Sequence, residues 1–247
     1  ADGSEIGRIG SENRTVVTLA EIPIHVRNAV MAAEDRNFYS NRAFSPIGLA
    51  AAVWDNITSL GNGRGGSTIT QQYAKTAFLT PERSIQRKVK ELVIAIKLEN
   101  QFTKDEILEN YLNTIYFGRG SYGVQTASQV YFGTTVDKLT VAQAAVLASI
   151  LRSPGLYDPG FKKENLPRLE NRFAYVIDGL VDEGWLTKEK ADKIKLPTDL
   201  AANIEDNRVD LTLADLPVAA PIFGVVNCAL VLTTMLPPLI VVVISST

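Results

Sequence analysis

Apolar residues recur at helical spacing through most of the first 197 residues. Ile24, Ala29, Val30 and Ala33 line one face of a helix predicted over 23–36, which leads directly into Glu34-Asp35-Arg36-Asn37-Phe38-Tyr39. A Ser45-Pro46 pair supplies the N-cap and first turn of a second helix over 46–60, stopped by Gly61-Asn62-Gly63. Thr80-Pro81-Glu82 opens a third in the same way, running to about Gln101. Thr103-Lys104-Asp105-Glu106 is a capping box ahead of Ile107, Leu108, Tyr111 and Leu112. Further helices are predicted over 140–151 and 166–183, the last closed by Gly184. Strand signals are sparse, with one short ribbon near residues 5–18 as the exception, so the fold class is all-α.

The third helix shows why pattern alone is not enough. At about 100° per residue, Arg83, Arg87, Lys90 and Glu91 share an arc of roughly 100°, while Ile85, Val89, Leu92 and Ile96 take the opposite side. Taken alone, this is a solvated face with helical ion pairs. Its surroundings change the reading, because Gly65-Gly66-Ser67-Thr68 and Lys75 lie just upstream. From Lys75 to Lys90 there are five Lys/Arg against the single carboxylate Glu82, a local charge of +4 in a chain whose net charge is −2. Loop amides, hydroxyls and cations in one stretch suit phosphate oxygens. The slightly acidic whole argues against non-specific nucleic-acid binding, so no nucleic-acid partner is expected.

Composition removes several chemistries. A single cysteine, Cys228, excludes an internal disulfide, and it lies far from His25, the only histidine. That leaves no His/Cys zinc site, no Cys/His nucleophile, and no Gly-x-Ser-x-Gly elbow for a serine triad. His25 reads as a surface or packing residue, and acid/base work falls to carboxylates. The chain starts at Ala1 without a charged n-region or apolar h-region, so no signal peptide is visible and a fragment or processed form is expected.

Five segments then occur in order: Glu34-Asp35-x-x-Phe38; Gly66-Ser67-Thr68-Ile69-Thr70-Gln71-Gln72; Arg87-Lys88-x-x-Glu91; Tyr111-Leu112-Asn113-x-Ile115-Tyr116-Phe117-Gly118; and Pro154-x-x-Tyr157-Asp158-Pro159. Together they resemble the five motifs of the peptidoglycan glycosyltransferases, glycosyltransferase family 51. These are the polymerising domains of bifunctional penicillin-binding proteins and of monofunctional transglycosylases. The resemblance covers residues 5–197, making 1–197 the glycosyltransferase domain. It implies a mostly helical, lysozyme-like large lobe with a small membrane-associated jaw lobe. It also implies polymerisation of lipid II, a disaccharide-pentapeptide on polyprenyl pyrophosphate, into β-1,4-linked glycan at the extracytoplasmic face of a bacterial plasma membrane. The partners implied are lipid II, the growing strand, the membrane surface and cell-wall synthesis proteins.

Carried over residue by residue, the resemblance makes Glu34 the catalytic base, with Ala32 and Ala33 as apolar neighbours that desolvate it, and Asp35 a supporting residue. Glu91 matches the second invariant carboxylate, which positions either the donor-side cations or a divalent metal (Mg or Mn); no cofactor is otherwise expected. Lys75 and Arg83 match the pyrophosphate contacts, and Ser67, Thr68, Gln71 and Gln72 bond sugar or phosphate. Arg87, Lys88 and Lys90 share electrostatic work, while Asn113, Tyr116 and Gly118 are structural. The first motif departs from the family at Asn41-Arg42-Ala43-Phe44-Ser45, where His-x-Gly-x-Asp is usual.

Residues 198–247 form a separate hydrophobic tail. No charge occurs from Val218 to Ser246, and Val225 to Ile244 is long enough for a span, yet Pro221, Pro237 and Pro238 interrupt it. A membrane-associated segment and a truncated or non-native terminus both remain open. No Ser-x-x-Lys signature of a transpeptidase occurs in the chain. Two other functions compete. A lysozyme-like lytic glycosidase would share the paired carboxylates but needs no cation cluster, and an inactive lipid II-binding scaffold would tolerate the altered first motif.

Overall fold

The computed structural model of the chain describes residues 13–40, 67–80 and 84–197. The expected helix over 46–60, Gly65 and Gly66, the altered first-motif segment 41–45, Arg83 and the 198–247 tail lie outside the described residues.

The centre is a helix hydrophobic all round, α6 (Val141–Leu151), in which Ala144 to Leu151 are all buried. Around it pack α1 (Ile24–Glu34) and α8 (Leu166–Asp182), which also touch each other, and the one-turn α7 (Pro154–Tyr157) lies between α6 and α8 in the chain. Small residues make this close approach feasible: Ala29, Ala32 and Ala33 on α1 meet a helix carrying Ala144, Ala145 and Ala148. Each fully buried Leu or Ile in this core, such as Leu147, Ile150 and Leu169, contributes about 1.5–3 kcal/mol. A second group joins α2 (Ile69–Phe78) to α3 (Ile85–Gln101) and α4 (Lys104–Thr114).

The helix boundaries follow local chemistry. Capping boxes at Thr103/Glu106 and Thr140/Gln143 start α4 and α6, with both reciprocal bonds formed. Gly184, at φ +70°, ends α8, and the Trp185 and Leu186 amides turn back to the Leu180 carbonyl. The mostly helical reading holds.

The third helix opens later than expected, α3 starting at Ile85 under a Ser84 N-cap rather than at Thr80-Pro81-Glu82, and four other details differ. First, α1 stops at Glu34 rather than Arg36, because Asp35 leaves helical geometry (φ −159°, ψ 83°) and its Oδ2 accepts from the Ile69 amide at the start of α2. Second, Thr68, read as the end of a glycine-rich loop, is the N-cap of α2, its Oγ1 accepting from the Gln71 amide, and Lys75 lies on that helix.

Third, α3 is rotated relative to the ideal projection. Its buried stripe is Glu91, Leu92, Ala95 and Leu98, while Val89 and Val93 are 44 % and 45 % exposed. Glu91 can face inward because Arg87 and Lys88, one turn earlier on the same helix, pair with it.

Fourth, of the ribbon expected near 5–18, residues 5–12 lie outside the described residues and the described strand pairs with distant sequence. β1 (Asn13–Arg14) pairs in parallel with β3 (Ser121–Tyr122), which pairs antiparallel with β2 (Tyr116–Gly118). Asn113 holds the incoming segment like an extra strand, its Oδ1 accepting from Val17 N (3.0 Å) and its Nδ2 donating to Val17 O (2.7 Å). Leading out of the β3 hairpin is α5 (Val124–Phe132), a helix the apolar spacing did not single out. His25 is a packing residue, its Nε2 lying 2.6 Å from the Leu139 carbonyl.

Gly118 sits at φ +96°, and an added Cβ would lie 2.7 Å from both Pro154 Cβ and the Tyr131 hydroxyl. Gly118→Ala is therefore expected to destabilise by about 2–4 kcal/mol through backbone strain and overpacking. A lowered urea midpoint at unchanged m-value is the expected readout, and an unshifted midpoint would contradict it.

Candidate active site

Glu34 is the last helical residue of α1, and its side chain is only 10 % exposed. Its two oxygens have different partners. Arg172 Nη2, from the middle of α8, donates to Oε1 at 3.0 Å, and Gln72 Nε2, from the first turn of α2, donates to Oε2 at 2.8 Å. The Tyr111 hydroxyl of α4 donates to Gln72 Oε1 (3.0 Å), so the amide nitrogen is the atom presented to Glu34. Burial, reinforced by the charges of Glu34 and Asp35, pushes the Tyr111 phenol well above its ordinary range, so it remains a donor. Three helices thus converge on one carboxylate.

Asp35 performs a different task. Burial raises its carboxyl above the ordinary 3.8, against the opposing pull of the Ile69 amide and Lys104. By accepting from Ile69 N (3.2 Å) it ties the end of α1 to the start of α2 and so sets where Gln72 meets Glu34.

A second cluster lies along α3. Glu91, 2 % exposed at its side chain, accepts from Lys88 Nζ and from Arg87 Nη1 (3.2 Å). Lys88 Nζ also donates to Ser67 Oγ (3.0 Å), and Ser67 O accepts from Gln72 Nε2 (3.2 Å). A continuous chain of polar contacts therefore runs Glu91–Lys88–Ser67–Gln72–Glu34. Lys75, three residues beyond Gln72 on α2, is exposed and has no ion-pair partner among the described residues.

The sequence-predicted residues separate accordingly. Glu34, Asp35, Ser67, Gln72, Lys88, Arg87 and Glu91 are brought into one network. Gln72 is fully engaged by Glu34, Ser67 and Tyr111, whereas buried Gln71 makes no side-chain hydrogen bond among the described residues. Thr68 is spent on the α2 cap. Lys90 is exposed on α3 and is not drawn to Glu91. Among the described residues no group of three or more His, Cys, Asp or Glu side chains could hold a metal ion.

Sequence reasoning missed Arg172 and the interaction of Tyr111 with Gln72. It also missed a buried pair, Arg119 and Asp158, bonded through two contacts of 2.7 Å with the Tyr131 hydroxyl 3.1 Å from Asp158 Oδ2. That pair ties the residue directly after the fourth motif to the fifth motif. The signal for Arg172 was available, since it sits in the apolar stripe Leu169, Phe173, Val176, Ile177 and Leu180, where an unpaired cation would be costly.

Beside the site, Tyr39 donates to Asp105 Oδ1 (2.7 Å), and burial with that carboxylate pushes the phenol from 10.0 up to about 12. An unfolded tyrosine releases its proton near 10, so between those values the folded state holds the extra proton and stability falls as pH rises. Chemical denaturation across that window is expected to show a flatter decline in Tyr39→Phe than in the wild type; equal slopes would contradict it.

Comparison with known proteins gives a consistent set of similarities. Residues 2–181 match the family model described as Transglycosylase. The chain is 46 % identical over 203 residues to penicillin-binding protein 1A of Mycolicibacterium smegmatis, covering 80 % of this chain and 26 % of that protein. It is 44 % identical over 220 residues to penicillin-binding protein 1A of Mycobacterium tuberculosis, covering 87 % of this chain and 25 % of that protein. The crystal structure of penicillin-binding protein 1A from Haemophilus influenzae aligns with 27 % identity and a TM-score of 0.45, over 80 % of this chain and 20 % of that one. The chain thus spans about a quarter of the length of the curated relatives it matches.

Proposed function

The chain belongs to the transglycosylase family, and from that premise we propose that it polymerises lipid II into β-1,4-linked glycan, with Glu34 as general base. The observation that carries the proposal is the buried, doubly held carboxylate of Glu34, linked through Gln72 and Ser67 to the cation-bearing segment. In the reaction the acceptor sugar's 4-hydroxyl oxygen attacks C1 of the donor and its proton passes to Glu34. The C1–O bond to pyrophosphate breaks, and polyprenyl pyrophosphate leaves as the anion. Attack from the face opposite an α-linked leaving group gives the β-linkage. Base and cations have separate tasks in this step, one removing a proton and the other stabilising charge that grows on the leaving oxygens.

Lys75 suits the second task because it is exposed, unpaired among the described residues and one helical turn beyond Gln72. Arg87 and Lys88 add positive potential nearby, held in place by Glu91. Glu91 is accordingly assigned to positioning cations. With both carboxylate oxygens already facing cations and no second carboxylate in the cluster, the described residues do not suit a divalent metal there. A lipid-linked substrate calls for a membrane surface, and a cell-wall glycan product for the extracytoplasmic face of the plasma membrane. Among the described residues no helix is long and apolar enough to cross a membrane.

The lytic alternative is not favoured, because cleavage of a neutral glycan has no pyrophosphate for the cations to meet. Lys75→Ala is expected to lower kcat/KM for lipid II about 10–100-fold and to weaken binding of a moenomycin-type phosphoglycolipid by a similar factor, while leaving melting unchanged. Wild-type binding and rate in that variant would refute the placement of the pyrophosphate.

A further inference from the structure

Building on the glycosyl-transfer reading, we propose that Arg172 is a positioning residue that locks the Glu34 carboxylate in the orientation from which it accepts the sugar proton. Arg172 belongs to none of the five ordered segments and is 138 positions from Glu34 in the chain. Its Nη2 nevertheless makes two contacts at the end of α1, donating to the Ala33 carbonyl at 2.7 Å and to Glu34 Oε1 at 3.0 Å. One nitrogen therefore registers the carboxylate against its own backbone, which a free side-chain pair would not do.

The guanidinium is itself held. Its Cζ lies over the Tyr175 ring, 4.7 Å from the centroid, and its side chain is 9 % exposed. The neighbouring cation, Arg36, is turned to a different partner, Asp182 at 3.0 Å.

A carboxylate offers about four acceptor positions. Arg172 takes one on Oε1 and Gln72 takes one on Oε2. Rotation of the carboxylate is blocked, and the remaining lone pairs are left for the acceptor hydroxyl. Misplacing a reacting group by about 1 Å can cost on the order of 100-fold in rate.

The test uses the full chain and labelled lipid II, with kcat and KM measured for Arg172→Met, Arg172→Lys and Arg172→Gln, alone and combined with Glu34→Gln. Arg172→Met is expected to lower kcat about 30–100-fold with KM changed less than about threefold. Arg172→Lys, which keeps the charge without the fork, should recover roughly tenfold of that loss. In the Glu34→Gln background the Arg172 substitutions should cost nothing further, since there is no base left to orient. A purely structural Arg172 would instead lower the residual rate by the same factor in both backgrounds, which overturns the inference. Wild-type kcat in Arg172→Met overturns it equally. Should Arg172→Met fail to melt cooperatively, the Lys and Gln variants carry the same comparison. An inactive wild type would bring down the glycosyl-transfer reading and this inference with it, whereas an active wild type with an indifferent Arg172 removes the inference alone.

Discussion

Glu34→Gln is expected to reduce glycan polymerisation by about 10²–10⁴-fold, the range a positioned general base supplies. The substitution keeps the shape of the side chain and an oxygen for Arg172 Nη2. It cannot accept a proton, and its amide nitrogen would face the Gln72 Nε2 that now donates to Oε2. Two donors opposed at 2.8 Å force one amide to turn, and turning Gln72 would break its bond from Tyr111. A stability loss of about 1–3 kcal/mol should accompany the rate loss. A cooperative melt shifted by a few degrees, with substrate binding retained and turnover gone, is the expected pattern. Wild-type turnover in the folded variant would remove Glu34 from the reaction.

The second large effect is expected at Glu91. Its carboxylate is buried and receives both Arg87 and Lys88, so it is not poised to take a proton from a sugar. Glu91→Gln leaves two cations without their counter-ion. Since Arg87 and Lys88 are 19 % and 36 % exposed, water offsets part of the cost. A destabilisation on the order of 2–3 kcal/mol is expected rather than the full value for a dry pair. Lys88 would then lose its charged partner and be left with neutral acceptors, Ser67 Oγ and at most one amide oxygen, and Ser67 is also where Gln72 bonds. Activity should fall about 10–100-fold, with Lys88→Met producing no further loss in the Glu91→Gln background. Independent, multiplying losses in the double variant would show that Glu91 acts other than through Lys88.

What the sequence made legible was what is written locally. Thr103/Glu106 and Gly184 announced helix ends because caps work within a few residues. Glu34, Asp35, Lys88 and Glu91 were found because they belong to ordered segments. What remained hidden depends on distant partners. Arg172 meets Glu34 only after α1 and α8 pack side by side, and the two-residue strands β1 and β3 are too short to show a period. Glu91 was placed on the outer face of α3 because an ideal projection treats every carboxylate as solvent-seeking. The ion pairs formed along the same helix let it face inward. The residues before α2 drew attention through their glycines, although Thr68, three residues ahead of Gln71, marked a helix start.

The most direct measurement is to supply the wild-type chain with labelled lipid II in detergent and follow both products, extended glycan and free polyprenyl pyrophosphate. Matched formation of the two, one pyrophosphate released for each disaccharide added, is the predicted result. Shortening of preformed glycan without pyrophosphate release, or binding of lipid II with no product at all, would contradict it.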